Sequence, residues 1–443
     1  MRRVLLAIGL AVSPAAAVAQ DPGSVLSEKG IETPSGRFRL KAEIKLNFRD
    51  STSDSFTVGG TGAPFPIVLA TVSPNASSEV SNIALISEAD LTPHILAHFQ
   101  INFLDLYNRN PTSSSDRVFV REAWLRFGKK FDSLQFTPDT SFYLEAGKFP
   151  RFTKQIVRRM ESYGLWGTAV GRFEEVGAEI GGSIGKHVYW RGSATNGNPL
   201  FMRDPNALAG DNGTPERTVG STTPVVYQAG FPILYDTQST DVNGSGKFQY
   251  GGGLGVRFNW GEGNRDGVDA MGWYFRRTLA ERVSLRGTFY SGDLRLLGGN
   301  PIPLPVTGNE KTEYGGNLEL KAGPFHLFGQ YVHQDIAGLV RHGYEVEIAW
   351  RIPLPGLFAS GDSSVVNWIQ PVVRVSAIEY DFAIPAGFVA PSFGWNWHKY
   401  DAGLRIGIIR GLDLTAEYTR NDTRARSRVL HPDEFLLTIR AVF

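Results

Sequence analysis

The chain has 443 residues, with 45 basic and 44 acidic side chains, 50 glycines, 12% aromatic residues and no cysteine. The missing cysteine excludes disulfides, thiolate nucleophiles and Cys-ligated metals, and the balanced charge excludes the basic excess of a nucleic-acid binder. A mean hydropathy of −0.16 suits a soluble protein, but it also suits a membrane β-barrel, whose lipid-facing residues are diluted by lumen-facing ones.

Arg2 and Arg3 precede an apolar run from Val4 to Val12, and Ala17-Val18-Ala19 has the small-x-small pattern of a cleavage site. Residues 1–19 therefore read as a secretory signal peptide, whose loss leaves 43 basic residues against 44 acidic ones. Residues 20–35 read as a short periplasmic segment, and 36–443 as one continuous domain. No later stretch approaches 18 uninterrupted apolar residues, so any membrane crossing is expected to use strands.

The first strand has Phe38, Leu40, Ala42, Ile44, Leu46 and Phe48 on one face and Arg37, Arg39, Lys41, Glu43, Lys45, Asn47 and Arg49 on the other. Period two is the signature of a strand. At about 3.3 Å per residue the run from Phe38 to Phe48 reaches roughly 33 Å, and tilted by about 40° it matches the roughly 25 Å apolar band of an outer-membrane barrel. Ile95, Ala97, Phe99, Ile101 and Phe103 repeat the pattern until it fails at Leu104-Asp105-Leu106, where the strand ends or bulges.

Residues 148–172 read as the third external loop. Lys148, Arg151, Lys154, Arg158 and Arg159 fall within fourteen residues that hold one acid, Glu161, and Arg172 follows. A loop lowered into the lumen would present these bases as a positive ring, which favours anions and suits phosphate through its guanidiniums. The competing reading pairs them with wall acids such as Glu175 and Glu179. The same choice holds for the pore-wall bases Arg37, Arg39, Lys41, Lys45 and Arg374: a basic track, or a solvated interior cross-paired with acids such as Glu79 and Glu88. Arg126, Arg191, Arg257, Arg286 and Arg440 are further inward candidates, and Glu122, Glu175, Glu179, Glu319, Glu345 and Glu347 are inward acids.

Val176, Ala178 and Ile180 begin the next strand. Gly181-Gly182-Ser183-Ile184-Gly185 matches a nucleophile elbow, but that motif needs a helix after it, and another alternating strand follows from His187. Gly251-Gly252-Gly253-Leu254-Gly255 lacks a following helix and is no dinucleotide fingerprint. His94 and His98 lack a third ligand, and the loop residues Asp204, Asp211 and Asn212 show no ordered Ca²⁺ pattern. No cofactor and no metal is expected.

Tyr250 to Trp260, Tyr314 to Ala322, and Ala402 to Ile408 with Leu412 to Tyr418 supply later strands. Thr92-Pro93, Gly185-Lys186, Gly323-Pro324 and Arg410-Gly411 are tight turns; residues 50–79, 108–116, 149–172, 197–246, 293–311 and 382–397 are long loops. Counting 268–277 as a wall strand gives 17, which conflicts with an even count. Reading 261–281 as an elaborated periplasmic turn gives 16, with 18 as the alternative. The C-terminus places Phe435, Leu437, Ile439, Ala441 and Phe443 on one face and ends on an aromatic. This pattern resembles the signal read by the bacterial barrel-assembly machinery.

Ordered motifs across most of the chain carry a family resemblance. They begin with Ser27-Glu28-Lys29-Gly30, Gly36-Arg37-Phe38-Arg39-Leu40-Lys41 and Ala146-Gly147-Lys148-Phe149-Pro150. Ala194-Thr195-Asn196-Gly197, Tyr314-Gly315-Gly316-Asn317-Leu318-Glu319-Leu320 and Gly323-Pro324-Phe325-His326-Leu327 follow. Gln330-Tyr331-Val332, Gly343-Tyr344-Glu345-Val346 and Val373-Arg374-Val375-Ser376 complete the series. The chain thus resembles the phosphate-selective porin O/P family. The resemblance implies a 16-stranded transmembrane antiparallel β-barrel in the bacterial outer membrane, usually a homotrimer in lipid, with the third external loop folded into the lumen. It implies passive passage of small hydrophilic solutes, in some members phosphate, and no enzymatic activity. A surface adhesin or structural barrel is the alternative, and an outer-membrane hydrolase a more remote one.

Overall fold

The computed structural model describes residues 30–443 except 34, 53–54, 59–66, 71–74, 106–117, 130–139, 154–158, 167–169, 172–173, 199, 202–225, 229–232, 236–246, 262–264, 280–283, 286–306, 355–358, 361–362, 384–395, 410, 426–427 and 432. The signal-peptide reading, Lys154, Arg158, Arg172, Arg286 and the loop residues Asp204, Asp211 and Asn212 lie outside the described residues. So does the side chain of Glu79.

Sixteen long strands form the wall. The first eight are β1 (Phe38–Ser51), β2 (Asn75–Thr92), β3 (Ile95–Asp105), β4 (Phe119–Gly128), β5 (Thr140–Phe149), β6 (Glu175–Ile184), β7 (Val188–Thr195) and β8 (Gln249–Trp260). The second eight are β9 (Asp266–Thr278), β10 (Glu310–Ala322), β11 (Phe325–Ile336), β12 (Leu339–Trp350), β13 (Trp368–Tyr380), β14 (Asn396–Ile409), β15 (Leu412–Ala425) and β16 (Glu434–Val442). Each pairs antiparallel with its sequence neighbour, and β16 pairs antiparallel with β1, so the sheet closes on itself. Closure removes the unpaired edges that a sheet cannot leave in hydrocarbon. An extra short strand, Ile31–Glu32, pairs with Leu40 and Arg39 of β1.

Alternation sorts the side chains as period two requires. Phe38, Leu46 and Phe48 of β1 are exposed on the outside, while Lys41, Asn47 and Arg49 are buried inside. On β8, Tyr250, Leu254, Val256, Phe258 and Trp260 face out and Gln249 and Arg257 face in. On β12, Tyr344, Val346, Ile348 and Trp350 face out, and Arg341, Glu345 and Glu347 face in. Apolar outside and charged inside is the reverse of a soluble protein. It is the arrangement of a wall between lipid and a polar lumen.

The seam is made by the C-terminal residues. Ile44, Leu46 and Phe48 stand opposite Ala441, Ile439 and Leu437. The Ala42 N–H donates to the Phe443 carbonyl at 2.7 Å, and the Phe443 N–H returns a bond to the Ala42 carbonyl at 3.1 Å. The predicted tight turns join β2 to β3, β6 to β7, β10 to β11 and β14 to β15. The first long loop is shorter than expected, because β2 already begins at Asn75. The failed alternation in β3 is both a bulge, where the register skips Phe103, and the strand end at Asp105.

One element is corrected. Residues 266–278 are not a turn: β9 is a full wall strand, paired along its length with β8 and β10. Residues 279–309 connect β9 to β10. Within this connection, Ser284–Leu285 pairs with Ile233–Tyr235 away from the wall. The total of 16 strands stands with β9 among them. The even count, and not the residue pattern, is what excludes it when the sequence is read alone. β9 turns Met271, Trp273 and Phe275 inward beside Asp269 and Arg277 and leaves Ala270, Gly272 and Tyr274 outside, so apolar residues stand on both of its faces.

Candidate functional site

The inner face of β9 carries Met271, Trp273 and Phe275 where a segment of chain packs on it from inside. The β5–β6 connection, residues 150–174, enters the barrel at Phe149. Phe152 packs with Tyr189, Met271, Trp273 and Phe275, and its ring centroid lies 4.9 Å from that of Phe275. The β8 glycines make the room. A Cβ on Gly251 would stand 2.2 Å from the Phe275 ring, and one on Gly255 would stand 2.1 Å from the Tyr189 ring. The Gly-rich run of β8 is therefore a packing surface. Tyr189 Oη donates to Asp269 Oδ1 at 2.5 Å, and Asp269 also accepts from Arg257 at 2.8 Å.

From there the segment meets one wall strand after another. The Arg151 guanidinium lies 2.6 Å from Glu313 on β10 and 3.8 Å from Glu175 on β6, and its Cζ sits 3.7 Å from the centre of the Phe275 ring. Arg159 donates to Glu347 on β12 at 2.7 Å. Met160 packs on Ala349 and Val372. The Glu161 and Ser162 N–H groups both donate to the Glu417 carboxylate on β15, at 3.1 and 2.8 Å. Arg374 on β13 donates to the Ser162 carbonyl at 2.9 Å, Lys399 on β14 donates to the Tyr163 carbonyl, and Lys45 on β1 lies 3.1 Å from Glu161. Leu165, Trp166 and Val170 then pack on Val332, Ile378 and Trp397. Inward-facing groups of β6, β10, β12, β13, β14, β15 and β1 all touch this one segment, so its described residues lie within the barrel.

The predicted site residues separate under this geometry. Arg151 and Arg159 are within the segment and paired with wall acids, through Glu175 as expected and through Glu313 and Glu347, which complete the pairing. Lys148 alternates with the inward Glu145 and Phe149, and its Nζ donates to the Val120 carbonyl at 2.9 Å. Arg37 is exposed at the foot of β1. Arg39 pairs with Glu88 and Asp90, both at 3.1 Å. Lys41 is buried on the inward face of β1. Lys45 bridges Glu43 and Glu161. Arg374 pairs with Asp401 at 2.9 Å and approaches Glu347 at 3.7 Å. Among the further inward bases, Arg126 pairs with Glu145, Arg191 with Glu179, Arg257 with Asp269, and Arg440 with Glu43 and Asp413. Of the pore-wall bases, Arg39, Lys45 and Arg374 are thus cross-paired with acids. Ser183 of the elbow-like motif lies within β6, 2.8 Å from the Ser141 hydroxyl.

Sequence reasoning missed the polar partners that hold the segment: Glu313, Asp401, Ser376 and Glu417. Nothing in a single strand marks an inward acid as a loop anchor, because the contact joins residues up to 256 positions apart.

No known family model matches the chain, and no curated protein matches it. Solved structures do. OprB of Pseudomonas putida is 11% identical with a TM-score of 0.51, covering 92% of this chain and 95% of that one. The outer membrane channel DcaP of Acinetobacter baumannii is 8% identical with a TM-score of 0.50, covering 94% of this chain and 100% of that one. At such identities the likeness shows the fold. The closed barrel with its apolar outer belt and charged interior belongs in a bacterial outer membrane.

Proposed function

We infer that this protein is an outer-membrane porin, a water-filled channel for passive diffusion of small hydrophilic solutes. The observation that carries this reading is that the described residues of the segment 150–171 lie inside a closed 16-stranded barrel and are bonded to its charged inner wall. A surface adhesin has no need of a charged interior or of a segment anchored within it. The similarity in fold to OprB and to the outer membrane channel DcaP supports the same reading.

The segment narrows the passage, and Lys148, Arg151, Lys154, Arg158, Arg159 and Arg172 set its electrostatic character. Of the described bases among them, Arg151 and Arg159 are compensated by Glu313, Glu175 and Glu347, and Lys148 donates to the Val120 carbonyl. Anion or phosphate preference, as in the phosphate-selective porin O/P family, therefore rests on Lys154, Arg158 and Arg172. The working form is a homotrimer in outer-membrane lipid, and Phe435, Leu437, Ile439, Ala441 and Phe443 form the assembly signal.

Reversal potential across a KCl gradient tests the filter. The wild type is compared with a variant carrying Gln at Arg151, Lys154, Arg158 and Arg159. An anion-selective wild type that loses selectivity in the variant supports a filter at this segment. An open channel indifferent to the change removes the filter from the segment.

A further inference from the structure

The segment covers one part of the inner wall and leaves another facing the lumen, and the ion pairs differ accordingly. Arg151 and Glu313 side chains are 1% and 0% exposed, and Lys399 and Asp401 are both 0% exposed. These pairs are sealed under the segment. A second set, across β14, β15, β16 and β1, retains accessible surface at Arg405 14%, Arg440 12%, Glu43 14% and Lys45 12%, with Asp413 and Glu161 between and beside them at 6%.

This second set is one continuous ladder. Arg405 lies 2.7 Å from Asp413, and Asp413 lies 3.1 Å from Arg440. Arg440 lies 2.7 Å from Glu43, Glu43 lies 3.7 Å from Lys45, and Lys45 lies 3.1 Å from Glu161 of the segment. Three bases and three acids alternate without a break. The ladder starts beside the tight β14–β15 turn and ends on the segment, so it runs from one rim of the barrel to its interior. A small ion passing along it meets attraction and repulsion in succession, and the pairs cancel at a distance. A solute with a cationic end and an anionic end meets a partner for each end at every rung, because Coulomb energy falls with separation and adjacent opposite charges are resolved only at close range. Several weak sites of this kind allow both entry and release.

We propose that this ladder makes the channel selective for dipolar solutes, small molecules that carry separated ammonium and carboxylate groups, over monovalent ions and neutral polyols of the same size. The proposal rests on the channel reading above and names its substrate class.

Proteoliposome swelling tests it, with γ-aminobutyric acid as the dipolar probe and erythritol as a neutral probe of similar size. The wild type is expected to admit γ-aminobutyric acid about threefold faster, the scale of one partly screened ion pair. In the Glu43→Gln, Asp413→Asn double variant two of the three acids are gone, and Arg405, Arg440 and Lys45 remain with Glu161 alone. The dipolar advantage then disappears and chloride selectivity rises. Asp413→Asn alone, which leaves the Arg440–Glu43 seam pair in place, should lose part of the advantage and serves if the double variant fails to assemble. Equal entry of the two probes through an active wild-type channel overturns this inference while leaving the channel reading intact. So does a dipolar advantage unchanged in both variants. Wild-type protein that supports no swelling by either probe overturns both.

Discussion

Single side chains decide how the segment is seated. Arg151 is buried against Glu313 and the Phe275 ring. Glu313→Gln removes its nearest countercharge, and breaking a buried pair by removing one partner costs about 3 kcal/mol or more. The variant should lose its heat-resistant folded band on unboiled gels at a lower temperature than the wild type; an unchanged transition would show that Glu175 alone suffices. Gly255 makes a separate steric demand. A Cβ there would overlap Tyr189, so Gly255→Val must displace the ring and its bond to Asp269. Overpacking of this kind costs about 1–3 kcal/mol, whereas valine at the outward Gly252, where a Cβ meets nothing within 4 Å, should be tolerated. Thermal unfolding of the two variants side by side checks the difference.

At the scale of elements, Glu417 is the point where the wall grips the backbone of the segment. Two N–H groups share its carboxylate. Glu417→Gln replaces one acceptor oxygen by a donor, so one buried N–H faces another donor, a loss of roughly 1–3 kcal/mol. The open-channel current should become noisier as the segment loosens; a current as quiet as that of the wild type would show that Arg374 and Lys399 hold it unaided. The anchor was not legible in the sequence, whereas β9 reads as a strand there and is excluded only by the even count, its alternation being weak. Alternation reports which face of a strand is apolar, and it served for β1 and β16, where one side meets lipid and the other a polar lumen. On β9 the inner side meets Phe152 instead, so Met271, Trp273 and Phe275 point inward and the expected contrast is lost. The loop bases were legible as a cluster, but their partners were not, because a period-two pattern carries no information about which distant chain arrives at an inward face.

The whole molecule depends on closure. Ala42 and Phe443 exchange two backbone hydrogen bonds at the seam, and in hydrocarbon an unsatisfied backbone group costs several kcal/mol. Deleting Phe443 should reduce the yield of folded barrel in the membrane, read as the heat-modifiable band; a full yield would assign closure to the rest of the β1–β16 pairing alone. Closure also explains why a nearly neutral chain builds a membrane protein. The wall places apolar residues outside and assigns the charges to the lumen, where acids and bases pair across strands.

The most direct test of the account is single-channel recording of the purified wild-type protein in a planar bilayer with symmetrical KCl. The account predicts discrete, ohmic conductance steps, and larger steps when residues 152–170 are replaced by a short Gly-Ser linker that no longer crosses the lumen. A folded, heat-modifiable barrel that leaves the bilayer silent in both forms would contradict it.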